Sequence, residues 1–284
     1  MLYLERFSFP DEDTEWHVCS AEKRTCYDSF YPFGVLGSKE LDRVSFEPVT
    51  IFYGGNGSGK TTALNVIADV VGAQRSAPYN RTSFWGQYVE RCRAQGVWQR
   101  AEHVCVLTSD DVFDYMLDVR SLNEGIDTKR QQVFEEYLDA KHARFQMRSL
   151  EDYDRLKQMN DARRHSQSRY TRTHLMGNVR TRSNGESAFW YFTEKITEKG
   201  LYLLDEPENS LSPARQRELA AFLADSARFF GCQFVLATHS PFLLALPGAK
   251  IYDLDRTPAA TAPWTELENV RVYRDFFKEH EPDF

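Results

Sequence analysis

Residues 54–61 of the chain read Gly54, Gly55, Asn56, Gly57, Ser58, Gly59, Lys60 and Thr61, with Thr62 next. Small residues let consecutive backbone N–H groups curl around an anion where a side chain would intrude. Such a loop needs a strand before it and a helix after it. Both are legible: residues 49–53 are strand-like, and the apolar Ala63, Leu64, Ile67, Ala68 and Val71 follow helical spacing. Lys60 is placed to neutralise the β- and γ-oxygens of a polyphosphate, and Thr61 offers a hydroxyl to Mg²⁺. The following helix adds the positive end of its dipole. A chance glycine-rich turn is the bland alternative, and eight matched positions in the right context argue against it.

Carboxylates stand further along. Four apolar residues, Leu201 to Leu204, lead into Asp205 and Glu206, a strand ending in two acids. Asp205 would hold Mg²⁺ and Glu206 would polarise an attacking water as general base. The apolar run 234–237 ends in Thr238 and His239, at the strand end where doubly wound sheets bind ligands. A neutral imidazole there can hydrogen-bond a γ-phosphate and a water. Between these, Ser183, Asn184, Gly185 and Glu186 open an apolar helical segment, a second anion-binding helix start. Two such starts in one chain imply a shared site. One molecule's loop binds the nucleotide, and the partner's Ser183 and Gly185 close over it.

These groups must be positioned by a scaffold, and the chain divides into three zones. Residues 1 to about 120 hold strand-like runs at 2–9, 44–53 and 104–107, with an aromatic-rich loop at 27–33. Residues from about 121 to 182 are polar, charged and helical in character, with helices expected over 131–142 and 150–158. Residues 183–284 return to alternation: a helix from about 185, a strand at 200–204, a helix at 212–229, and strands at 233–237 and 250–254. Apolar strands alternating with helices predict a mostly parallel sheet flanked by helices, with a helical, basic lid inserted into one α/β domain. The aromatic tail, with Val272, Tyr273, Phe276 and Phe277, is expected to pack back on that domain.

The order GGNGSGKTT, SNGES, LYLLDEPENSLS and VLATHSP resembles the ABC-type P-loop ATPases of the SMC and RecF head group. It is most similar to small stand-alone bacterial AAA/ABC-like ATPases whose signature reads SHGES. The resemblance covers 27–110 and 182–255 and fails between them. It implies an ATP- and Mg²⁺-dependent hydrolase that forms a homodimer around its nucleotides. It makes 183–186 the signature, acting in trans, and Ser210, Leu211 and Ser212 the D-loop that touches the opposite site. His239 becomes the switch histidine. Asn184 departs from the Gly or His of relatives. No Q-loop glutamine is clear; Gln99 and Glu102 stand at about the right distance, and the residues do not separate them. Tyr27, Phe30, Tyr31 and Phe33 are candidates to stack on adenine, against a plain core-packing role.

Bulk properties narrow the class. The 284 residues carry a net charge of −7, which argues against a protein coated in nucleic acid. Residues 141–182 reverse this locally, with eleven Lys/Arg against four Asp/Glu. There Arg163, Arg164, Arg169 and Arg172 could contact nucleic acid or a partner protein, or could simply face water. Cys19, Cys26, Cys92, Cys105 and Cys232 show no CxxC spacing and read as reduced thiols. No apolar run reaches membrane length and no signal-peptide pattern opens the chain, so a cytoplasmic location is expected. The resemblance implies work in genome maintenance or antiviral defence through a protein effector. Two alternatives stand beside it: a slowly hydrolysing dimer switch that controls a nuclease or toxin, and the nucleotide-binding subunit of a transporter. SNGES in place of LSGGQ, and the basic insert, weigh against the transporter.

Overall fold

Pro48 divides what reads in the sequence as one strand over residues 44–53. Proline gives no N–H to a ladder, so the chain leaves one sheet before it and enters another after it. The computed structural model describes residues 2–24, 26–144, 152–179 and 183–284. The chain runs β1 (Leu4–Ser8), α1 (Glu12–Ala21), β2 (Arg43–Ser45), β3 (Val49–Tyr53), α2 (Lys60–Val71), α3 (Trp85–Val89), β4 (Arg93–Gly96) and β5 (His103–Thr108). Then come α4 (Ser109–His142), α5 (Tyr153–Arg164), α6 (Gln167–His174), α7 (Asn184–Lys195) and β6 (Gly200–Asp205). The last part holds α8 (Pro213–Phe229), β7 (Gln233–Ala237), α9 (Pro241–Leu244), β8 (Lys250–Asp253), β9 (Ala260–Thr261) and α10 (Glu268–Glu279). Contacts divide it into two units, Met1–Phe113 with Asn184–Phe284, and Asp114–Ser183.

The first unit is α/β. Among the described residues its main sheet has the order β5-β6-β7-β3-β8-β9, parallel from β5 to β8 with β9 antiparallel at the edge. Every residue of β3 and β7 is buried, which is why these runs show no polar alternation in the sequence. Helix α2 buries Ala63, Leu64, Val66 and Ile67 in one core with Leu201, Leu203 and Val235. A fully buried side chain of the Leu or Val class contributes about 1.5–3 kcal/mol. A smaller antiparallel sheet, β2-β1-β4, lies beside it. The fully buried Gln233 joins the two: its Oε1 accepts from Tyr3 N and Leu4 N, both at 2.8 Å, and its Nε2 donates to Leu4 O at 2.7 Å.

The tail departs from expectation. Leu267 and Val270 are buried, but Val272, Tyr273, Phe276 and Phe277 are 50–62% exposed. These four lie four residues and one residue apart, so they share one helix face, and that face points away from the core. α10 is anchored instead by its first turn.

The second unit is helical. Tyr137, Ala140, Met159, Ala162 and Tyr170 form its small core. Tyr137 donates its hydroxyl to His165 O at 3.1 Å, and Asn123 pairs both ways with the Val179 backbone. α4 is one continuous helix from Ser109, longer than the piece read at 131–142. Arg163, Arg164, Arg169 and Arg172 are all exposed, and Arg163 also donates to Ala143 O at 2.8 Å. Residues 145–151 and 180–182 of the basic stretch lie outside the described residues.

Candidate nucleotide site

β3 lies between β7 and β8, and β7 separates it from β6. Parallel strands present all their carboxyl ends on one edge. That edge therefore carries the glycine loop after β3, Thr238 and His239 after β7, and Asp205 and Glu206 at the end of β6. The sequence predicts these residues separately, and the topology brings them together.

The loop's glycines have specific work. Gly59, the residue before α2, has φ +99°, and a Cβ there would press on Val35 and Leu36 at 3.0 and 3.1 Å. At Gly54 a Cβ would lie 2.4 Å from Ser58 Oγ. Lys60, only 4% exposed, donates from Nζ to Gly54 O at 2.8 Å and Gly55 O at 3.0 Å, and stands 3.9 Å from Glu206 Oε1. Gly55, Asn56, Gly57 and Thr61 are exposed, while Thr62 is buried and meets the Tyr31 hydroxyl at 3.1 Å.

Thr61 Oγ1 donates to Asp205 Oδ1 at 3.0 Å. Burial pushes the Asp205 carboxyl up to about 6; the Thr61 hydroxyl and Lys60 oppose this, and the Glu206 and Glu208 carboxylates add to it. Glu206 has φ +45°, ψ +51°, a left-handed conformation that costs a non-glycine residue about 1 kcal/mol or more. Its N–H is held by Ala237 O at 2.8 Å, and Asn209 Nδ2 donates to its Oε2 at 2.9 Å. Strain at this position aims one carboxylate across the edge toward Lys60.

The donor set fits a magnesium nucleotide. Ser58 Oγ is buried without a hydrogen-bond partner among the described residues, and the narrow Gly54 approach leaves room for backbone alone. Thr61 and Asp205 supply hard oxygens. Among the described residues no cluster of three His, Cys, Asp or Glu could hold a metal by itself. One carboxylate and one hydroxyl suit Mg²⁺, which is held by one or two carboxylates together with substrate phosphates and water. A cavity of about 410 Å³ adjoins this pair, with Tyr31, Asn65, Arg75, Thr108, Ser109 and Asp110 among its walls.

Some sequence expectations change here. Gln99 sits in the short turn Trp98–Arg100, and Glu102 precedes β5, where Lys199 Nζ reaches its Oε1 at 3.1 Å. Both therefore lie at the amino end of β5, roughly 20 Å of strand away from the edge that holds the site. Neither reaches it. The carboxyl end of β5 brings Thr108, Ser109 and Asp110 instead. Of the four loop aromatics, Tyr27 and Phe30 pack on Phe84, and Phe33 packs edge-on against Tyr88. Only Tyr31 among them lines the cavity. Gly185, in the first turn of α7, lies against the backbone of Ser210 and Ser212, so the residues expected as signature and D-loop are neighbours within one chain. Ser183, Asn184 and Glu186 are exposed, and Arg215 Nη2 stands 3.7 Å from Glu186 Oε1. Sequence reasoning missed roles for Glu208, Gln216 and Asn269, which surround His239. Glu208 lay inside the quoted motif; the other two carry no local signal.

Residues 194–245 match the family model described as AAA domain, putative AbiEii toxin, Type IV TA system. The matched stretch contains Asp205, Glu206, the 210–212 segment and His239. No curated protein matches the chain. Among solved structures, the chain is similar to an Smc head domain from Pyrococcus furiosus bound to the C-terminal domain of ScpA. Identity there is 13%, with 97% of this chain and 100% of that one covered, at TM-score 0.47. The SMC head domain from Thermotoga maritima matches at 13% identity over 92% and 99% of the two chains, at TM-score 0.41. An inward-facing putative metal-chelate type ABC transporter matches at 16% over 79% and 76%, at TM-score 0.36.

The raised Asp205 carboxyl gives a prediction for the protein without metal. An acid whose folded pKa is raised binds more protons folded than unfolded between about 4 and 6, so its ionisation penalises the fold above that window. Asp205→Asn removes the penalty and keeps an acceptor for Thr61. Melting in EDTA should therefore show Asp205→Asn roughly 2–4 °C more stable at pH 7.5, with the gap closing toward pH 4.5. A gap that is equal at both pH values would sink the assignment.

Proposed function

We propose that this chain is an ATP-hydrolysing P-loop protein that closes as a homodimer around ATP and Mg²⁺ and couples that closure to a partner. The observation that carries the reading is the convergence of Lys60, Thr61, Asp205, Glu206 and His239 on one sheet edge. In this reading the amides of 54–62 and Lys60 hold the phosphates, while Thr61 and Asp205 would hold Mg²⁺, which would supply positive charge against the phosphate oxygens. Glu206 takes the proton of the attacking water as the water oxygen bonds to the γ-phosphorus and the bond from that phosphorus to the ADP oxygen breaks. His239 orients that water and the γ-phosphate. Ser183, Asn184, Gly185 and Glu186 of a second copy close the site, with 210–212 beside them. The test is phosphate release measured together with molecular mass, with and without ATP. A monomer that turns over ATP at full rate rules out the shared site.

The partner is read from two observations. The matched family is described as a putative toxin of a Type IV toxin–antitoxin system, which supports a defence role, and in this reading closure acts on a protein effector. Arg163, Arg164, Arg169 and Arg172, all exposed in the helical unit, support an anionic partner, nucleic acid included. Phosphate contacts make binding fall with salt, by about one unit of log–log slope per contact. Arg163→Glu with Arg164→Glu is therefore expected to weaken DNA binding at least tenfold at low salt and to flatten the slope by about 2. Unchanged affinity removes nucleic acid and leaves the protein effector. Among the described residues no helix is long and apolar enough to cross a membrane.

A further inference from the structure

Glu208 is a carboxylate that hydrolysis, as described, does not use. It is only 5% exposed, on the short turn Pro207–Ser210 that follows β6. Burying a carboxylate is costly unless its oxygens are well paired, and an unpaired buried oxygen calls for an explanation. The two oxygens of Glu208 differ sharply. Oε1 accepts from Thr238 Oγ1 at 2.6 Å and from His239 N at 2.9 Å, and stands 3.4 Å from His239 Nδ1. Oε2 is buried with no hydrogen-bond partner among the described residues. Among the described residues every polar contact of this side chain therefore goes to residues 238 and 239.

The surroundings fix the same segment from its other sides. Asn269, in the first turn of α10, donates from Nδ2 to His239 O at 2.5 Å, while Tyr53 Oη accepts from Asn269 N at 3.2 Å. Ser240 Oγ donates to Gln216 Oε1 at 2.7 Å, and Gln216 Nε2 donates back to Leu211 O at 2.9 Å. Both backbone groups of His239 are thus pinned, its N–H by Glu208 and its C=O by Asn269. Its side chain nevertheless stays 45% exposed at the site edge. Backbone contacts alone would be satisfied by any neutral acceptor. What a carboxylate adds at 3.4 Å from Nδ1 is a preference for a proton on that nitrogen. Nε2 is then left as the nitrogen that works at the site.

We propose that Glu208 is the positioning residue for His239: its buried carboxylate holds the Thr238 hydroxyl and the His239 N–H and fixes the imidazole in the Nδ1–H form, with Nε2 free to act. This rests on the hydrolysis reading above for its effect on rate, but not for the tautomer itself. The test uses the full chain with ¹⁵N-labelled histidine, the His239 signals being assigned by their loss in His239→Ala. The unsubstituted protein should show the Nδ1–H form at His239, a measurement that needs no variant to fold. Glu208→Gln keeps the shape and one acceptor but removes the charge, and should move the signals toward the Nε2–H form. Single-turnover hydrolysis by Glu208→Gln should fall about tenfold or more, with ATP affinity within about twofold of the parent. In a His239→Ala background the same substitution should cost nothing further. An Nε2–H imidazole in the unsubstituted protein overturns the proposal, as does an equal loss of rate with and without His239. A parent chain that fails to hydrolyse ATP at all sinks the hydrolysis reading instead, and the tautomer comparison still decides the Glu208 link.

Discussion

Glu206→Gln is expected to lose ATP turnover by about 10²–10⁴-fold while still binding ATP, and to accumulate as a dimer when ATP is added. The substitution is nearly isosteric. Its amide oxygen can still accept from Asn209 Nδ2, which holds the side chain at 2.9 Å, so the left-handed turn at this residue should survive. What disappears is the group able to take a proton from water. Lys60, 3.9 Å from the lost charge, keeps its bonds to Gly54 O and Gly55 O, so phosphate binding should be spared. If hydrolysis opens the dimer, blocking it leaves the closed form populated, which light scattering would read as a doubled mass. Turnover at the parent rate would remove Glu206 as the base. Lost turnover with a monomeric mass at saturating ATP would remove the shared site and leave the base in place.

The chemistry of this chain is more legible than its connections. Loop, strand and acid positions could be placed because each motif residue sits at the end of a fully buried run, and such runs are conspicuous in β3, β6 and β7. The antiparallel sheet was less visible. β4 is Arg-Ala-Gln-Gly, with no apolar alternation, and it is recruited by pairing with β1 rather than by its own pattern. Pro48 marks the boundary between β2 and β3, but Val44, Phe46, Val49 and Ile51 keep an apolar alternation on either side of it. Gln99 and Glu102 show a different limit: distance along the chain from Lys60 does not say which end of a strand a residue occupies, and β5 places both at the wrong one. The tail aromatics have the spacing of a buried face, but burial depends on what lies opposite, and among the described residues nothing covers them. Asn269 escapes for the same reason, since its role is set by the His239 carbonyl it meets through folding.

Lys60→Met should separate binding from chemistry in the opposite sense to Glu206→Gln. Methionine fills the lysine's buried volume without its charge, so the loop keeps its packing while Gly54 O and Gly55 O lose a donor. A hydrogen bond to a charged group is worth about 1.5–3 kcal/mol. Losing the contacts of one ammonium to phosphate oxygens should therefore weaken ATP binding on the order of 10²-fold. Adenosine, which offers no phosphate, should be bound no differently by the two proteins. Isothermal titration with ATP, ADP and adenosine checks this directly. The ATP-induced dimer should also vanish at concentrations that saturate the parent, because closure in this reading requires a bound γ-phosphate. ATP bound by Lys60→Met within a few-fold of the parent would mean that the phosphates are held elsewhere. The glycine loop would then be only the tight turn that its geometry at Gly54 and Gly59 also permits.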